Sequence, residues 1–365
     1  MPELKTTPLH SRHVAAGALM SPFAGFDMPI QYSSIEEEHK AVRTACGVFD
    51  VSHMGEVNVS GPAAEAFVNY IFSNDITGAP IGQVFYGMML NGSGGVVDDL
   101  LVYKRAADSF LLVINASNIA KDVAWIESHA DGFDVEIDNL SDQLAEIALQ
   151  GPESETVMSE VLGINVADLK FYTFREELLD GRHILVSRTG YTGEDGFEIY
   201  GPADAIVSYW DALMESGRVK PCGLGCRDTL RFEVGLPLYG NELTDDITPV
   251  EACLSMFVKT DKSDFIGRQA IVDQKAAGPA RKLVGLRMEG RAIPRHGYEV
   301  TDTEGNVIGV VTTGYRGISL DESIAAALIA TELTAKDTRV MVRIRNKVWP
   351  ATVTSRKFYN KSYKK

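Results

Sequence analysis

The 365-residue chain predicts an α+β fold. Strand-like, helix-like and hairpin-like segments are interleaved without the strand–helix–strand alternation of a parallel sheet. The last third then turns to short strands separated by glycine turns, the spacing of a small β-barrel or sandwich. A chain of this length suggests two or three domains.

The elements follow in order. Ser34-Ile35-Glu36-Glu37 has the serine-to-glutamate spacing of a capping box, and the helix it opens should run to Cys46, stopped by Gly47. Residues 55–59 are strand-like, and Ala63, Phe67, Tyr70 and Ile71 mark an amphipathic helix. Residues 86–90 and 99–103 flank Asn91-Gly92-Ser93-Gly94-Gly95, a hairpin loop. A strand at 110–115, a helix marked by Ile119, Val123 and Ile126, and a strand at 133–137 follow. The second half mixes strands and helices in the same way, with strand 146–149, helix 153–162, a hairpin over 178–188 around Asp180-Gly181, strand 197–200 and helix 203–215. The linker candidate is Lys275-Ala276-Ala277-Gly278-Pro279-Ala280-Arg281. Beyond it, strands are expected at 283–288, 298–301, 307–312, 324–329, 340–344 and 349–353, although Ala325-Ala326-Ala327 also suits a helix.

Composition narrows the function classes. The chain is 45% hydrophobic and 23% charged, ordinary for a soluble globular protein with a sizeable core. A net charge of -15 argues against bulk binding to nucleic acid or an anionic membrane. No stretch approaches the ~18 apolar residues of a membrane span, and Val14 to Met20 makes a poor signal peptide. Arg343, Arg345, Lys347, Arg356, Lys357, Lys361, Lys364 and Lys365 meet no Asp or Glu between them. That basic end suits an anionic ligand, an acidic partner or simply a solvated terminus. Cys46, Cys222, Cys226 and Cys253 form no C-x-x-C pair, which fits a reducing cytoplasm. The seven histidines show no metal-binding spacing, so no metal site is expected.

Three segments carry chemistry. Asp98 and Asp99 precede the apolar run Leu100-Leu101-Val102-Tyr103. A pleated strand sends neighbours to opposite faces, so one aspartate should face the interior or a cleft and the other water. An inward carboxylate needs donors or a cation, and is a candidate for proton handling or for holding a basic ligand; a turn aspartate beside a solvated one is the plainer alternative. The loop Arg188 to Glu198 has glycines bracketing Tyr191-Thr192, which suits close approach of a ligand, or a plain hairpin loop. Tyr191 offers a flat stacking face, and Glu198 can accept two donors from a planar ring edge. Finally, Gly223-Leu224-Gly225-Cys226-Arg227-Asp228 enters a helix with Arg227 opposed to the helix dipole. Such an arginine answers to a carboxylate or an anionic ligand, with Asp228 the natural capping partner.

These segments resemble the aminomethyltransferase of the glycine cleavage system, the T-protein family, over nearly the whole length. The resemblance runs through Thr7-Pro8-Leu9, Phe23-Ala24-Gly25-Phe26-Asp27-Met28-Pro29 and the specific signature Gly47-Val48-Phe49-Asp50-Val51-Ser52-His53-Met54-Gly55-Glu56. Asp98-Asp99, Leu149-Gln150-Gly151-Pro152, Gly190 to Glu198 and Gly223 to Asp228 then follow in the family's order. The resemblance implies a three-domain cloverleaf around a central folate channel, with a C-terminal β-barrel or jelly roll. Its parts would be residues 1–52 with 140–275, residues 53–139 carrying Asp99, and residues 280–365. It implies that tetrahydrofolate takes an aminomethyl group from the lipoyl arm of H-protein, with ammonia released and 5,10-methylenetetrahydrofolate formed. Asp99 matches the essential aspartate; Met54, Tyr86, Asn115, Phe171, Tyr191, Glu198 and Arg227 match folate-site positions, and Tyr363 matches a tyrosine that closes the pocket. Arg227 and the basic end would suit the folate glutamate carboxylates. No flavin or metal is implied, nor nucleic acid or membrane; the partners are H-protein and, transiently, the other glycine cleavage components, in the cytoplasm.

One stretch departs from the family pattern. Arg316-Gly317-Ile318-Ser319-Leu320 stands where Ser-Pro usually precedes a Ser/Thr-Leu pair. Two other readings remain: a folate-dependent demethylase, and a non-catalytic folate-binding helper, which would carry Lys-Gly-Cys-Tyr where this chain has Gly225-Cys226-Arg227-Asp228.

Overall fold

The computed structural model describes residues 3–361 and 363. Two antiparallel layers and a barrel carry the chain. The first is a five-stranded sheet in the order Val84–Leu90, Val96–Ala106, Ser109–Ile114, Gly55–Ser60, Glu136–Asn139. The second is six-stranded, in the order Phe174–Leu179, Arg182–Ser187, Gly196–Gly201, Ala145–Gln150, Gly47–Asp50, Lys220–Pro221, with only the last pair parallel. A closed six-stranded barrel spans Arg281–Met288 to Lys347–Thr354.

Strand pairing fixes what each face holds. In the five-stranded sheet, Leu100, Val102, Leu112, Ile114, Val57 and Val59 point to one side and form an apolar core under the helix Ala64–Ile71. The opposite side carries Tyr86, Asp99, Leu101, Tyr103, Val113 and Glu56, aligned by the registers Tyr86↔Leu101, Met88↔Asp99, Leu101↔Val113 and Glu56↔Val113. The six-stranded sheet divides in the same way. Ile147, Leu149, Val186, Phe197 and Ile199 pack under the helix Ala203–Glu215. Its other face bears Glu146, Gln150, Ser187, Glu198 and Tyr200, through Tyr200↔Glu146 and Ser187↔Glu198.

The two polar faces meet. Val84, Tyr103, Leu111 and Val113 from one sheet share a buried cluster with Phe174, Leu185 and Tyr200 from the other. The sheet edges are joined by Val84 N–H to Tyr172 O at 2.9 Å and Phe174 N–H to Gly82 O at 2.8 Å. Residues between the second sheet and the barrel, including Leu243, Ile247, Val250 and Ile271, pack with Met88, Leu90 and Val96 and with barrel residues Leu283 and Leu328.

Local expectations changed in four places, and at residues 325–327 the expected strand stands over the helix alternative. The helix Ile35–Thr44 ends before Cys46, and its capping box is only half made. The Ser34 hydroxyl accepts the Glu37 N–H at 3.2 Å, but Glu37 pairs with Lys220, and Glu38 instead takes Tyr32 and Ser33 N–H groups at 2.6 and 3.0 Å. Ser34→Ala should cost about 1 kcal/mol, read from the urea midpoint; a change below ~0.3 kcal/mol would leave Glu38 as the sole cap. The linker is shorter than expected, because Lys275, Ala276 and Ala277 complete the helix Arg268–Ala277 and Arg281 opens a strand. Ala325, Ala326 and Ala327 are strand, paired with Leu286, Gly285 and Val284; on a central barrel strand their neighbours outweigh helix propensity. The strand expected at 133–137 is Glu136–Asn139. Finally, Asp228 does not cap its helix: it takes Arg231 Nε at 2.7 Å and the Tyr315 hydroxyl.

Candidate active site

Strand alternation sends the two aspartates to opposite faces as expected, Asp98 fully buried and Asp99 partly exposed. Asp98 points into the apolar side of its sheet and is 0% exposed. Its carboxylate accepts Asn115 N–H at 3.0 Å, Asn115 Nδ2 at 2.9 Å and Asn118 Nδ2 at 2.7 Å. Asp99 points the other way, toward the facing sheet, and is partly buried. Tyr86 donates to its Oδ2 at 2.9 Å and Asn115 Nδ2 to its Oδ1 at 3.0 Å. The amide of Asn115 therefore ties the two carboxylates together. Burial and the Asp98 charge push Asp99 up to about 7, against the pull of Tyr86 and Asn115. A carboxyl poised there can exchange a proton near neutral pH.

Glu198 sits on the facing sheet, buried, with the Thr189 hydroxyl on one oxygen. Burial raises its pKa while Arg227 pulls it down. The Arg227 guanidinium also lies 5.1 Å from the centre of the Tyr191 ring. The loop holding Tyr191 is anchored on Gln150, which donates to Thr189 O at 3.1 Å and accepts from Thr192 Oγ1 at 2.7 Å. A Cβ at Gly190 would stand 2.1 Å from Gln150 Oε1, and Gly193 has φ +78°, so both positions require glycine. Tyr191 donates its hydroxyl to Pro237 O, which fixes its ring.

Several polar atoms lining this interior have no hydrogen-bond partner among the described residues. Arg227 Nη1, Glu146 Oε2 and both oxygens of Glu56 are buried without a hydrogen bond. Burial raises Glu56 and Glu146 well above the usual carboxylate range, and Glu146 also feels Glu198 and Glu56. Unsatisfied buried donors and acceptors on both faces fit a polar, planar ligand edge that would complete them.

The sequence-predicted residues fall in three places. Asp99, Tyr86, Asn115, Glu198, Arg227 and Tyr191 lie around the space between the sheets. Met54 packs half-buried against the shared cluster that holds Tyr172 and Tyr200, and against the one that holds Phe49. Phe171 is 67% exposed and stacks edge-on with Tyr172 at 4.7 Å. Tyr363 accepts the Asp195 N–H at 3.0 Å and donates to Glu194 at 2.6 Å, so it braces the Tyr191 loop from behind. Sequence reasoning missed Tyr172, Tyr103 and Tyr200. Tyr103 and Tyr200 join hydroxyls at 3.0 Å under the site. Burial, and then the charges of Glu198 and Asp99, push the Tyr172 hydroxyl up to about 12, and its φ of 60° is unusual for a tyrosine.

For a metal, Glu38, Cys222 and Cys226 bring ligand atoms within 4.8 Å of one another. Glu38 already accepts Tyr32, Ser33 and Gly223 N–H groups, so its oxygens serve the backbone. No helix among the described residues is long and apolar enough to cross a membrane.

Comparison with known proteins gives consistent matches. Residues 9–262 match the GCVT N-terminal domain, and residues 281–360 match the glycine cleavage T-protein C-terminal barrel domain. An aminomethyltransferase of Caldanaerobacter subterraneus subsp. tengcongensis is 49% identical over 99% of this chain and 98% of its own. One from Alkaliphilus oremlandii is 47% identical over the full length of both. The crystal structure of glycine cleavage system aminomethyltransferase T from Bartonella henselae superposes with a TM-score of 0.94 at 37% identity, covering 99% of this chain and 100% of that one. The chain belongs to the glycine cleavage T-protein family and is an enzyme of the aminomethyltransferase class.

Proposed function

We propose that the chain moves the aminomethyl group carried on the lipoyl arm of H-protein to tetrahydrofolate, so that the carbon–nitrogen and carbon–sulfur bonds break, ammonia and the reduced dihydrolipoyl thiol leave, and 5,10-methylenetetrahydrofolate is formed. The carrying observation is Asp99, held by Tyr86 and Asn115 near neutral pKa between two polar faces, opposite Glu198. Tetrahydrofolate enters as co-substrate, and two of its nitrogens end bonded to the transferred carbon. The unpartnered atoms of Arg227, Glu146 and Glu56 support a pterin edge lying between the sheets. Glu198 accepts donors from that edge, and Tyr191 stacks on it. Asp99 stabilises positive charge on the aminomethyl group as ammonia departs, and takes or returns a proton as folate nitrogen attacks. Met54 and Tyr86 line the walls, Phe171 lies at the rim, and Tyr363 holds the loop that carries Tyr191.

The same reading makes lipoylated H-protein the partner, with the other glycine cleavage components met transiently in the cytoplasm, and needs neither metal nor flavin. It also makes Arg227 a folate ligand. Arg227→Ala should weaken tetrahydrofolate binding by tenfold or more, since a charge-assisted hydrogen bond contributes about 1.5–3 kcal/mol. Calorimetric titration measures this directly; unchanged affinity would return Arg227 to a structural role beside Glu198.

A further inference from the structure

Behind Asp98 lies a second buried acid that this chemistry leaves unused. Asp122, on the helix Ile119–Ser128, is 0% exposed, and neither of its carboxyl oxygens has a hydrogen-bond partner among the described residues. The nearest cation, Lys121 Nζ, is 3.7 Å away, beyond hydrogen-bond range, and directs two of its three protons to Val97 O and the Tyr239 hydroxyl. The groups facing Asp122 are Asp98 from the neighbouring strand, at hydrogen-bonding range, and Lys121 from its own helix; Tyr239 reaches it only through Lys121, and Asp99 only through Asp98. An ionised carboxylate so placed, fully buried with a second carboxylate in contact and only a half-exposed lysine at 3.7 Å to offset it, is costly. A neutral acid resolves the arrangement: its O–H donates to Asp98, which already accepts three N–H groups from Asn115 and Asn118.

We infer that Asp122 is a positioning residue: as a neutral acid its O–H donates a hydrogen bond to Asp98, and so holds the Asp98–Asn115 pair that orients Asp99. The chain of contacts is short. Asp122 keeps Asp98 a fully satisfied anion. Asp98 fixes the Asn115 backbone and amide, and the same amide bonds Asp99. The Asp98 charge in turn keeps Asp99 able to hold a proton near neutral pH. Burial and Asp98 together hold Asp122 far above the usual carboxylate range, in keeping with a neutral acid.

The inference rests on Asp99 serving the transfer reaction, but two of its tests do not need turnover. The first compares Asp122→Asn, which keeps an N–H donor toward Asp98, with Asp122→Ala, which removes it. In the pH profile of kcat, the Asn variant should keep the wild-type acid limb. The Ala variant leaves Asp98 short of a donor, so the Asp98–Asn115 pair that orients Asp99 loosens, and the acid limb moves by about one unit or more. An unmoved limb in a folded Ala variant, or an equal shift in both, overturns the inference. The second test is infrared difference spectroscopy of wild type against Asp122→Asn near neutral pH. It should show the C=O band of a protonated carboxylic acid lost in the variant; the carboxylate pair of bands alone would show Asp122 ionised and overturn the inference. The third is stability against pH. A group whose folded pKa is raised contributes stability below its unfolded pKa and loses it as pH climbs toward the folded value. Wild type should therefore fall relative to Asp122→Asn as pH rises from about 5 to about 9, and parallel curves would contradict a neutral Asp122. If turnover were absent altogether, the transfer reading would fail while the last two tests still decided the state of Asp122.

Discussion

Asp99→Asn is expected to lower turnover by about 10²–10⁴-fold while leaving tetrahydrofolate affinity within a few-fold of wild type. The amide keeps the shape of the carboxylate and can still bond Tyr86 and Asn115, so the walls of the site stay in place. It cannot carry negative charge or take a proton. The pH dependence follows from the same residue. Asp99 has its folded pKa raised to about 7, and the reaction uses the ionised form, so kcat should rise with pH through about 7 and level off above it. In the Asn variant the residual rate should lose that acid limb. The direction for folding is opposite: a raised carboxyl is a stabilising feature only at low pH, and Asp99→Asn should match or exceed wild-type stability above about pH 7. Turnover of the variant within a few-fold of wild type would remove Asp99 from the chemistry.

Arg231→Met is expected to destabilise the protein by about 3–5 kcal/mol. Arg231 is completely buried, and its guanidinium meets Glu242 at 2.8 Å and Asp228 at 2.7 Å. Glu242 is 2% exposed in its side chain and also accepts the hydroxyls of Thr312 and Thr313 from the barrel, at 2.7 and 2.6 Å. Removing the arginine leaves a buried carboxylate that ties the barrel to the helix Leu224–Glu233, with its charge unmatched. Methionine fills similar space without supplying a donor. Urea unfolding gives the number, and a loss below about 1 kcal/mol would show that the buried pair does not hold the barrel to this helix.

A second contact explains how the barrel tolerates its unusual loop. The stretch Arg316-Gly317-Ile318-Ser319-Leu320 meets the helix Ile35–Thr44 and the helix Leu224–Glu233: Ser319 Oγ lies 2.9 Å from His39 Nε2, and its N–H donates to Glu233 at 2.8 Å. Glu233 in turn holds Arg43 and His39. Burial works to raise its pKa, but His39 and Ser319 overcome that and bring it down to about 2. The departure therefore changes a seam between barrel and body, away from Asp99.

Much of this was legible in the chain, and the omissions have a common cause. Local signals were clear where they depend on near neighbours. The helix Ala203–Glu215, the Asp180-Gly181 hairpin and the barrel strands follow from periodicity and turn chemistry. The Asp98-Asp99 pair stood out for the same reason. Alternation correctly sends the two carboxylates apart, but cannot say what covers each face. Asp98 is met by Asn115, Asn118 and Asp122, which belong to a strand end and a helix, so it is the buried member of the pair. Tyr103, Tyr200, Glu56 and Glu146 were missed because each is ordinary in its own strand. Only registers such as Glu56↔Val113 and Tyr200↔Glu146 place them on facing surfaces. Glu146-Ile147-Ala148-Leu149-Gln150 carried only a partial signal: period two puts its polar ends Glu146 and Gln150 on one face, but Ala148 between them breaks the polar alternation. Tyr172 had none, because its importance comes from a left-handed backbone between Phe171 and Thr173 that no propensity marks.

Ammonia release from aminomethyl-loaded lipoyl carrier, with and without tetrahydrofolate, tests the central claim most directly. The account predicts fast release that depends on tetrahydrofolate, stoichiometric formation of 5,10-methylenetetrahydrofolate, and loss of both in Asp99→Asn. Tetrahydrofolate bound without any acceleration of release would contradict it, and would turn the search toward methyl donors or a non-catalytic folate-binding role.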